Sequence, residues 1–170
     1  MPHQDYSFLK IDDLINSGQL AMVRWMALGG QLLTVLVVYF ALDLDIPIDW
    51  LMLVILISAI VGIWHHLASQ TRVRINNYQA FFLLGFDTLQ LFALLFLTGG
   101  LTNPFALLLL APVAVSASLL SMRYTISLIL MAALLASLLS VYHLPLPWPD
   151  KTPEWPGLYL VGLWVAIVFA

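Results

Sequence analysis

The stretch from Tyr78 to Thr98 reads YQAFFLLGFDTLQLFALLFLT and carries a single charged residue, Asp87, in 21 positions. A helix that crosses a membrane needs about 20 predominantly apolar residues. Helical backbone is required there because N–H and C=O groups that face lipid find no water to bind. This stretch therefore predicts a membrane-spanning α-helix.

The same apolar pattern recurs in four further long stretches and one shorter stretch. They are 25–42, 50–67, 104–122, 124–142 and 157–170. The last has 14 residues, about 21 Å of helix against a hydrocarbon core of roughly 30 Å. We therefore predict an all-α polytopic membrane protein, a six-helix bundle of antiparallel hairpins. We expect the sixth helix to be truncated at Ala170 and the native protein to continue beyond it.

The composition excludes several classes of protein. Charged residues make up 9% of the chain and apolar residues 62%, with a mean hydropathy of +1.00. Soluble domains carry roughly 25% charged residues, so this chain has too few to cover a globule in water. It contains no cysteine, which excludes disulfides, thiolate metal sites and cysteine nucleophiles. No long basic run indicates a nucleic-acid partner.

The positions of lysine and arginine predict the orientation. Five of the six fall before the first span or in the connections after the second and fourth spans: Lys10, Arg24, Arg72, Arg74 and Arg123. Only Lys151 falls on the opposite side. Because positive loops stay in the cytoplasm, we predict a cytoplasmic N-terminus and an external turn at 99–105.

The chain divides into a short leading segment and the membrane domain. Residues 1–24 are predicted to be cytoplasmic, and residues 25–170 to form the transmembrane domain. Ile11, Leu14 and Ile15 follow helical spacing, with Asp12 and Asp13 opposite them. This pattern predicts a short interfacial helix before the first span.

The turn after the third span reads GGLTNPF from Gly99. Two glycines suit a helix C-terminal cap, because glycine adopts positive φ without strain. Asn103 and Pro104 suit the N-cap and first position of the next helix. A well-made hairpin turn is the simpler interpretation of this spacing. The alternative is a quinone site, with donors from the turn backbone and the Asn103 amide and a stacking face from Phe105.

The heptapeptide resembles the Gly-Gly-x-x-Asn-Pro-Phe signature of the RegB/PrrB/ActS family of redox-sensing histidine kinases. Three other stretches are similar to the family's helices: Arg24-Trp25 with Gly30-Gln31, Asp87 and Gln90 before Thr98, and Leu110-Ala111-Pro112-Val113. The resemblance covers essentially the whole chain. It implies a six-helix sensor domain in the bacterial inner membrane that signals the redox state of the quinone pool. The ubiquinone site would be formed by Gly99, Gly100, Leu101, Thr102, Asn103, Pro104 and Phe105.

The resemblance also implies parts that these 170 residues do not contain. A cytoplasmic kinase would follow the sixth helix, and the family's redox cysteine has no counterpart here. The parent protein would be a sensor histidine kinase and a homodimer, and it would act on a response regulator through the kinase. We therefore expect this chain itself not to be an enzyme.

Asp87 is the acid that lies deep in a predicted span, about 18 Å from Gly99 along a helix. It shares a helical face with Gln90, Leu94 and Leu97. No lysine or arginine lies within a predicted span, so we expect Asp87 to be neutral and Asp87→Asn to be tolerated for folding. Two interpretations stay open: a hydrogen-bonded helix contact, or a proton partner or relay with Gln90 below the quinone site.

Other functions have weaker support. His65 and His66 lie at the inner end of the second span and His143 at the outer end, so we predict no haem, and no metal. A small multi-pass transporter or channel subunit is the main alternative, but its broken helices and polar path would rest on Asp87, Gln90 and Pro112. Pro112 is expected to kink the fourth helix. A membrane enzyme would show acid–base or metal-ligand clusters, and none is visible.

Overall fold

The computed structural model describes residues 14–40, 45–69 and 74–145. These residues form a helical membrane bundle, as predicted. The elements in chain order are β1 (Leu14–Asn16), α1 (Ser17–Phe40), α2 (Ile48–Ser69), β2 (Arg74–Asn76), α3 (Asn77–Leu97), two 3₁₀ segments (Gly100–Thr102 and Pro104–Leu110), α4 (Ala111–Leu119) and α5 (Met122–Val141). Within the described residues, α1, α2, α3 and α5 are long and apolar enough to cross a membrane. The predicted sixth span, 157–170, lies outside them.

The bundle has two distinct ends. At the strand end, β1 pairs with β2 in antiparallel register, with Leu14 opposite Asn76 and Asn16 opposite Arg74. At the turn end lies the connection from α3 to the 3₁₀ segment Pro104–Leu110. Since α1 and α3 both begin directly after the paired strands, they run in the same direction, and α2 returns between them. The central helix α3 contacts α2, α4 and α5, while α1 packs on α2.

The buried core is apolar, and so is much of the outer surface. One buried cluster, at the turn end, joins α3, the 3₁₀ segments and α5: Leu91, Leu95, Leu101, Ala106, Leu109, Ala136 and Leu139. Large apolar side chains also point outward; Trp50 is 63% exposed and Trp64 76%. A soluble monomer rarely exposes such surface, whereas lipid accepts it.

The first helix begins earlier than predicted. Helix α1 starts at Ser17, so Arg24 lies inside the helix instead of before it. Its buried stripe, Leu20, Arg24, Leu28 and Val35, has the spacing of one helical face. The predicted interfacial helix is wrong at Leu14 and Ile15, which lie in β1 because this backbone pairs with β2. Ile11 lies outside the described residues.

The fourth span is not one continuous α-helix. Pro104–Leu110 is a 3₁₀ segment, α4 covers only Ala111–Leu119, and Leu120 is extended. Pro112 has no N–H with which to continue an α-helical ladder, and the change from 3₁₀ to α-helix occurs beside it. The predicted kink at Pro112 stays a prediction. Because a 3₁₀ helix rises about 2.0 Å per residue against 1.5 Å, the two pieces together reach about 27 Å. That nearly matches a hydrocarbon core of roughly 30 Å.

Candidate ligand site at the turn end of the bundle

The turn at 99–105 has the backbone that its glycines and its Asn-Pro pair predicted. Gly99 has φ 102° and Gly100 φ 58°, values that only glycine adopts readily. Asn103 is extended, and its Oδ1 accepts a hydrogen bond from Phe105 N at 2.9 Å. Pro104 occupies the first position of the 3₁₀ segment. The predicted caps are therefore confirmed.

The Asn103 amide nitrogen is used within the turn. Its Nδ2 donates to Thr98 O at 2.9 Å and to Thr98 Oγ1 at 2.8 Å. An asparagine amide has two hydrogens, so these two bonds account for both. Asn103 thus ties the end of α3 to the start of the 3₁₀ segment, a role that its spacing did not reveal.

Three other residues of the heptapeptide close the turn against its neighbours. A Cβ added at Gly100 would lie 2.6 Å from His143 Cγ, so the backbone here packs directly on His143. Leu101 is 1% exposed and belongs to the turn-end core cluster. Thr102 Oγ1 donates back to Gly99 O. These three residues therefore make contacts that stabilise the turn.

A cavity of about 430 Å³ lies beside this turn, between α1, α2, α3 and the 3₁₀ segment. Ligand pockets usually measure about 300–1,000 Å³. Asn103 and Phe105 line it, whereas Gly99, Gly100, Leu101 and Thr102 do not. Three further polar residues line it: Gln31, Thr34 and Thr98. Most of the remaining wall is aliphatic, including Val35, Leu91, Leu94, Leu95 and Leu108.

The α1 side of this cavity was not predicted as part of the site. Gln31 follows Arg24 by seven residues, two helical turns, and therefore lies on the same face of α1. Thr34 follows one turn later, and its Oγ1 donates to Gly30 O at 2.8 Å. The spacing of these polar residues within an apolar span could have indicated that this face of α1 contributes to the site.

Asp87 forms an ion pair with Arg24. The Nη1 of Arg24 lies 3.3 Å from Asp87 Oδ1, and the two side chains are 4% and 19% exposed. The expectation that no cation within the spans pairs with Asp87 is wrong. Helix α1 begins at Ser17, seven residues before Arg24, so Arg24 lies within the helix and on its buried face. The guanidinium also lies over the ring of Phe86, 5.3 Å from its centre.

Hydrogen bonds extend from this ion pair to the cavity. Arg24 Nη2 donates to Ser58 O at 3.1 Å and to Ser58 Oγ at 3.2 Å. Ser58 Oγ donates to Gln90 Oε1 at 2.7 Å, and Gln90 Nε2 donates to Gln31 Oε1 at 2.7 Å. We call Asp87, Arg24, Ser58, Gln90 and Gln31 the polar relay. It connects α1, α2 and α3, so the predicted face of Asp87 and Gln90 does point into the bundle.

A smaller cavity of about 70 Å³ lies along the relay. It is lined by Arg24, Asp87, Gln90 and Gln31, and Gln31 also lines the larger cavity. Within the part of the chain that the structure describes, no three His, Cys, Asp or Glu residues are grouped to hold a metal ion.

Two comparisons place this architecture among known proteins. Residues 18–170 match the family model described as a PilS-like transmembrane domain, which has six transmembrane helices. The chain belongs to this family. The cavity and the relay lie inside the matched range, so they are features of a PilS-like transmembrane domain. No solved structure matches the chain.

The PilS-like domain is also similar to a longer signalling protein. It is 39% identical over 150 residues to the sensor histidine kinase RegB from Cereibacter sphaeroides. The aligned region covers 88% of this chain and 32% of that protein. The chain therefore spans about a third of the length of this relative.

Proposed function

We propose that this chain is the transmembrane sensor domain of a redox-responsive histidine kinase and that it binds ubiquinone in the turn-end cavity. The observation that carries this proposal is the cavity itself, because two residues of the heptapeptide, Asn103 and Phe105, line it. Similarity to RegB supports the kinase assignment. The kinase, the homodimer, the response regulator, the inner-membrane location and the cytoplasmic N-terminus belong to the same proposal.

The chemistry of the cavity suits a membrane quinone. A quinone ring is flat and apolar apart from two carbonyl oxygens, and its isoprenoid tail is soluble in lipid. The cavity offers aliphatic walls, the ring of Phe105, and a few polar side chains. Pockets of this kind hold ligands by apolar contact and orient them with few polar groups.

Occupancy of the cavity would affect the relative position of helices. Its walls come from α1, α2, α3 and the 3₁₀ segment. The relay joins α1 to α3 directly and also through Ser58 of α2. A ligand changes an equilibrium only by its different affinity for the two states. A coupling of about 1–3 kcal/mol is typical, which one or two contacts that differ between states can supply.

The first test is quinone binding by the purified chain in lipid nanodiscs. An organic extract should contain ubiquinone above that of empty nanodiscs, and a short-tailed ubiquinone analogue should bind in a titration. Phe105→Ala should weaken binding about three- to tenfold, because a lost ring contact costs roughly 0.5–1.5 kcal/mol. Phe82→Ala is the matched control. Phe82 lies on α3 and is about as exposed as Phe105, but it does not line the cavity.

Two results would count against this function. If the extract matches empty nanodiscs and no analogue binds, the chain is not a quinone sensor. Solute flux in liposomes would then favour the transporter or channel alternative. If quinone binds but Phe105→Ala behaves like Phe82→Ala, the quinone lies elsewhere in the bundle.

A further inference from the structure

We infer that Gln31 donates a hydrogen bond to a carbonyl oxygen of the bound quinone, and that the polar relay orients its amide for this contact. The inference rests on the proposed function and adds α1 to a site that the heptapeptide supplies only in part. Gln31 lies on the wall of the large cavity and at the end of the relay.

The direction of the relay follows from its first member. Arginine can only donate, so the Oγ of Ser58 accepts from Arg24 Nη2 at 3.2 Å. The single hydroxyl hydrogen of Ser58 is then left for Gln90 Oε1 at 2.7 Å. Gln90 must therefore turn its amide nitrogen toward Gln31, where it meets an oxygen at 2.7 Å.

This order leaves the Gln31 amide nitrogen as a donor at the cavity. Its oxygen is held by Gln90, and its Nε2 has no hydrogen-bond acceptor among residues 14–40, 45–69 and 74–145. Gln31 is only partly buried, and its Nε2 retains exposed surface. A quinone carbonyl in the cavity is an acceptor that this free donor can bind without giving up a bond within the protein.

The other polar side chains on the described cavity wall have already used their hydrogens. Thr34 Oγ1 donates to Gly30 O, and Thr98 Oγ1 donates to Leu94 O at 2.7 Å. Asn103 Nδ2 donates to Thr98. Gln31 is therefore the side chain on this wall that can donate to a ligand without breaking a bond within the protein.

The test compares Gln31→Met and Gln31→Asn with Thr88→Val in nanodiscs. Methionine keeps the length of the side chain and removes the amide, while asparagine withdraws the amide by one methylene. Both should weaken binding of the short-tailed ubiquinone analogue about two- to tenfold, the effect of one neutral hydrogen bond. Thr88→Val should change it less than twofold, because Thr88 does not line the cavity and its hydroxyl is bound to its own helix.

The infrared carbonyl band of the bound quinone separates a direct contact from a structural effect. In the wild type, one C=O stretch should lie at lower frequency than in lipid, and in Gln31→Met it should return to the lipid value. Thermal unfolding would show that the variants are folded. If the wild type binds but both Gln31 variants bind as tightly with an unchanged band, the role of Gln31 is wrong and the cavity proposal stands. If the wild type binds no quinone, the proposed function itself fails.

Discussion

Arg24 shows how a single side chain can be accommodated in an apolar bundle. Arg24 is 5% exposed, and its guanidinium lies next to Asp87, the Ser58 oxygens and the Phe86 ring. Removing one member of a buried ion pair leaves an uncompensated charge, which is more damaging than replacing both members. The ion pair is therefore expected to behave as a unit.

Asp87→Asn should destabilise the domain, in contrast to the tolerance expected from the sequence. Asparagine leaves the Arg24 charge unpaired, at a cost of at most about 3–5 kcal/mol; the partial exposure of Asp87 reduces this value. Thermal unfolding in detergent measures the effect, and Arg24→Gln combined with Asp87→Asn should recover part of the loss. Equal stability of Asp87→Asn and wild type would show that the pair does not stabilise the fold.

The turn between α3 and the 3₁₀ segment is the element with the most specific sequence. Its glycines supply positive φ, and Asn103 caps the following segment while it also holds Thr98. The 3₁₀ helix that follows brings Phe105 to the cavity. The stability of the turn and the proposed ligand contact therefore involve the same few residues, and a variant in this turn must be tested for both.

Asn103→Asp should lower the thermal stability even without ligand. The carboxylate still accepts from Phe105 N, but it cannot donate to Thr98, and each lost hydrogen bond costs about 0.5–1.5 kcal/mol. Thr98→Val is the matched control, because it removes the hydroxyl acceptor and leaves Thr98 O. We expect a smaller decrease in Tm for Thr98→Val than for Asn103→Asp. An unchanged Tm for Asn103→Asp would show that the hydrogen bonds from Asn103 to Thr98 do not stabilise the turn.

On the scale of the whole molecule, the paired strands and the turn mark opposite ends of the bundle. Arg74 and Arg123 lie at the strand end. At the turn end, Asp45 precedes α2 and Asp49 lies in its first turn. The positive-inside rule then predicts that the strand end is cytoplasmic. With this predicted orientation, the proposed quinone cavity would lie in the outer half of the membrane.

Single cysteines can test this orientation, because the chain has none of its own. Asp45→Cys should react with an impermeant thiol reagent in intact cells, and Ser121→Cys should react only after permeabilisation. Both positions are exposed, and the Ser121 side chain makes no cap hydrogen bond. Leu101 is unsuitable because it is buried in the core. The opposite labelling pattern would reverse the orientation.

Local sequence was sufficient for the features that depend on local physics. Apolar length predicted α2, α3 and α5 to within about two residues at each end, because a membrane span must be long and apolar whatever its neighbours are. Glycines and the Asn-Pro pair predicted the caps of the turn, since backbone dihedrals and capping bonds involve adjacent residues. The inward face of Asp87 and Gln90 followed from helical spacing.

Contacts between distant segments were decided only by the tertiary structure. Arg24 and Asp87 are 63 positions apart, and no spacing rule shows that two helices place them at the same depth. The start of α1 was missed because a charge near the end of an apolar run is usually a flanking charge, and only a partner inside the bundle makes its burial affordable. The cavity likewise depends on tertiary structure, because its wall combines residues of α1, α2, α3 and the 3₁₀ segment, and this packing places Gln31 on that wall.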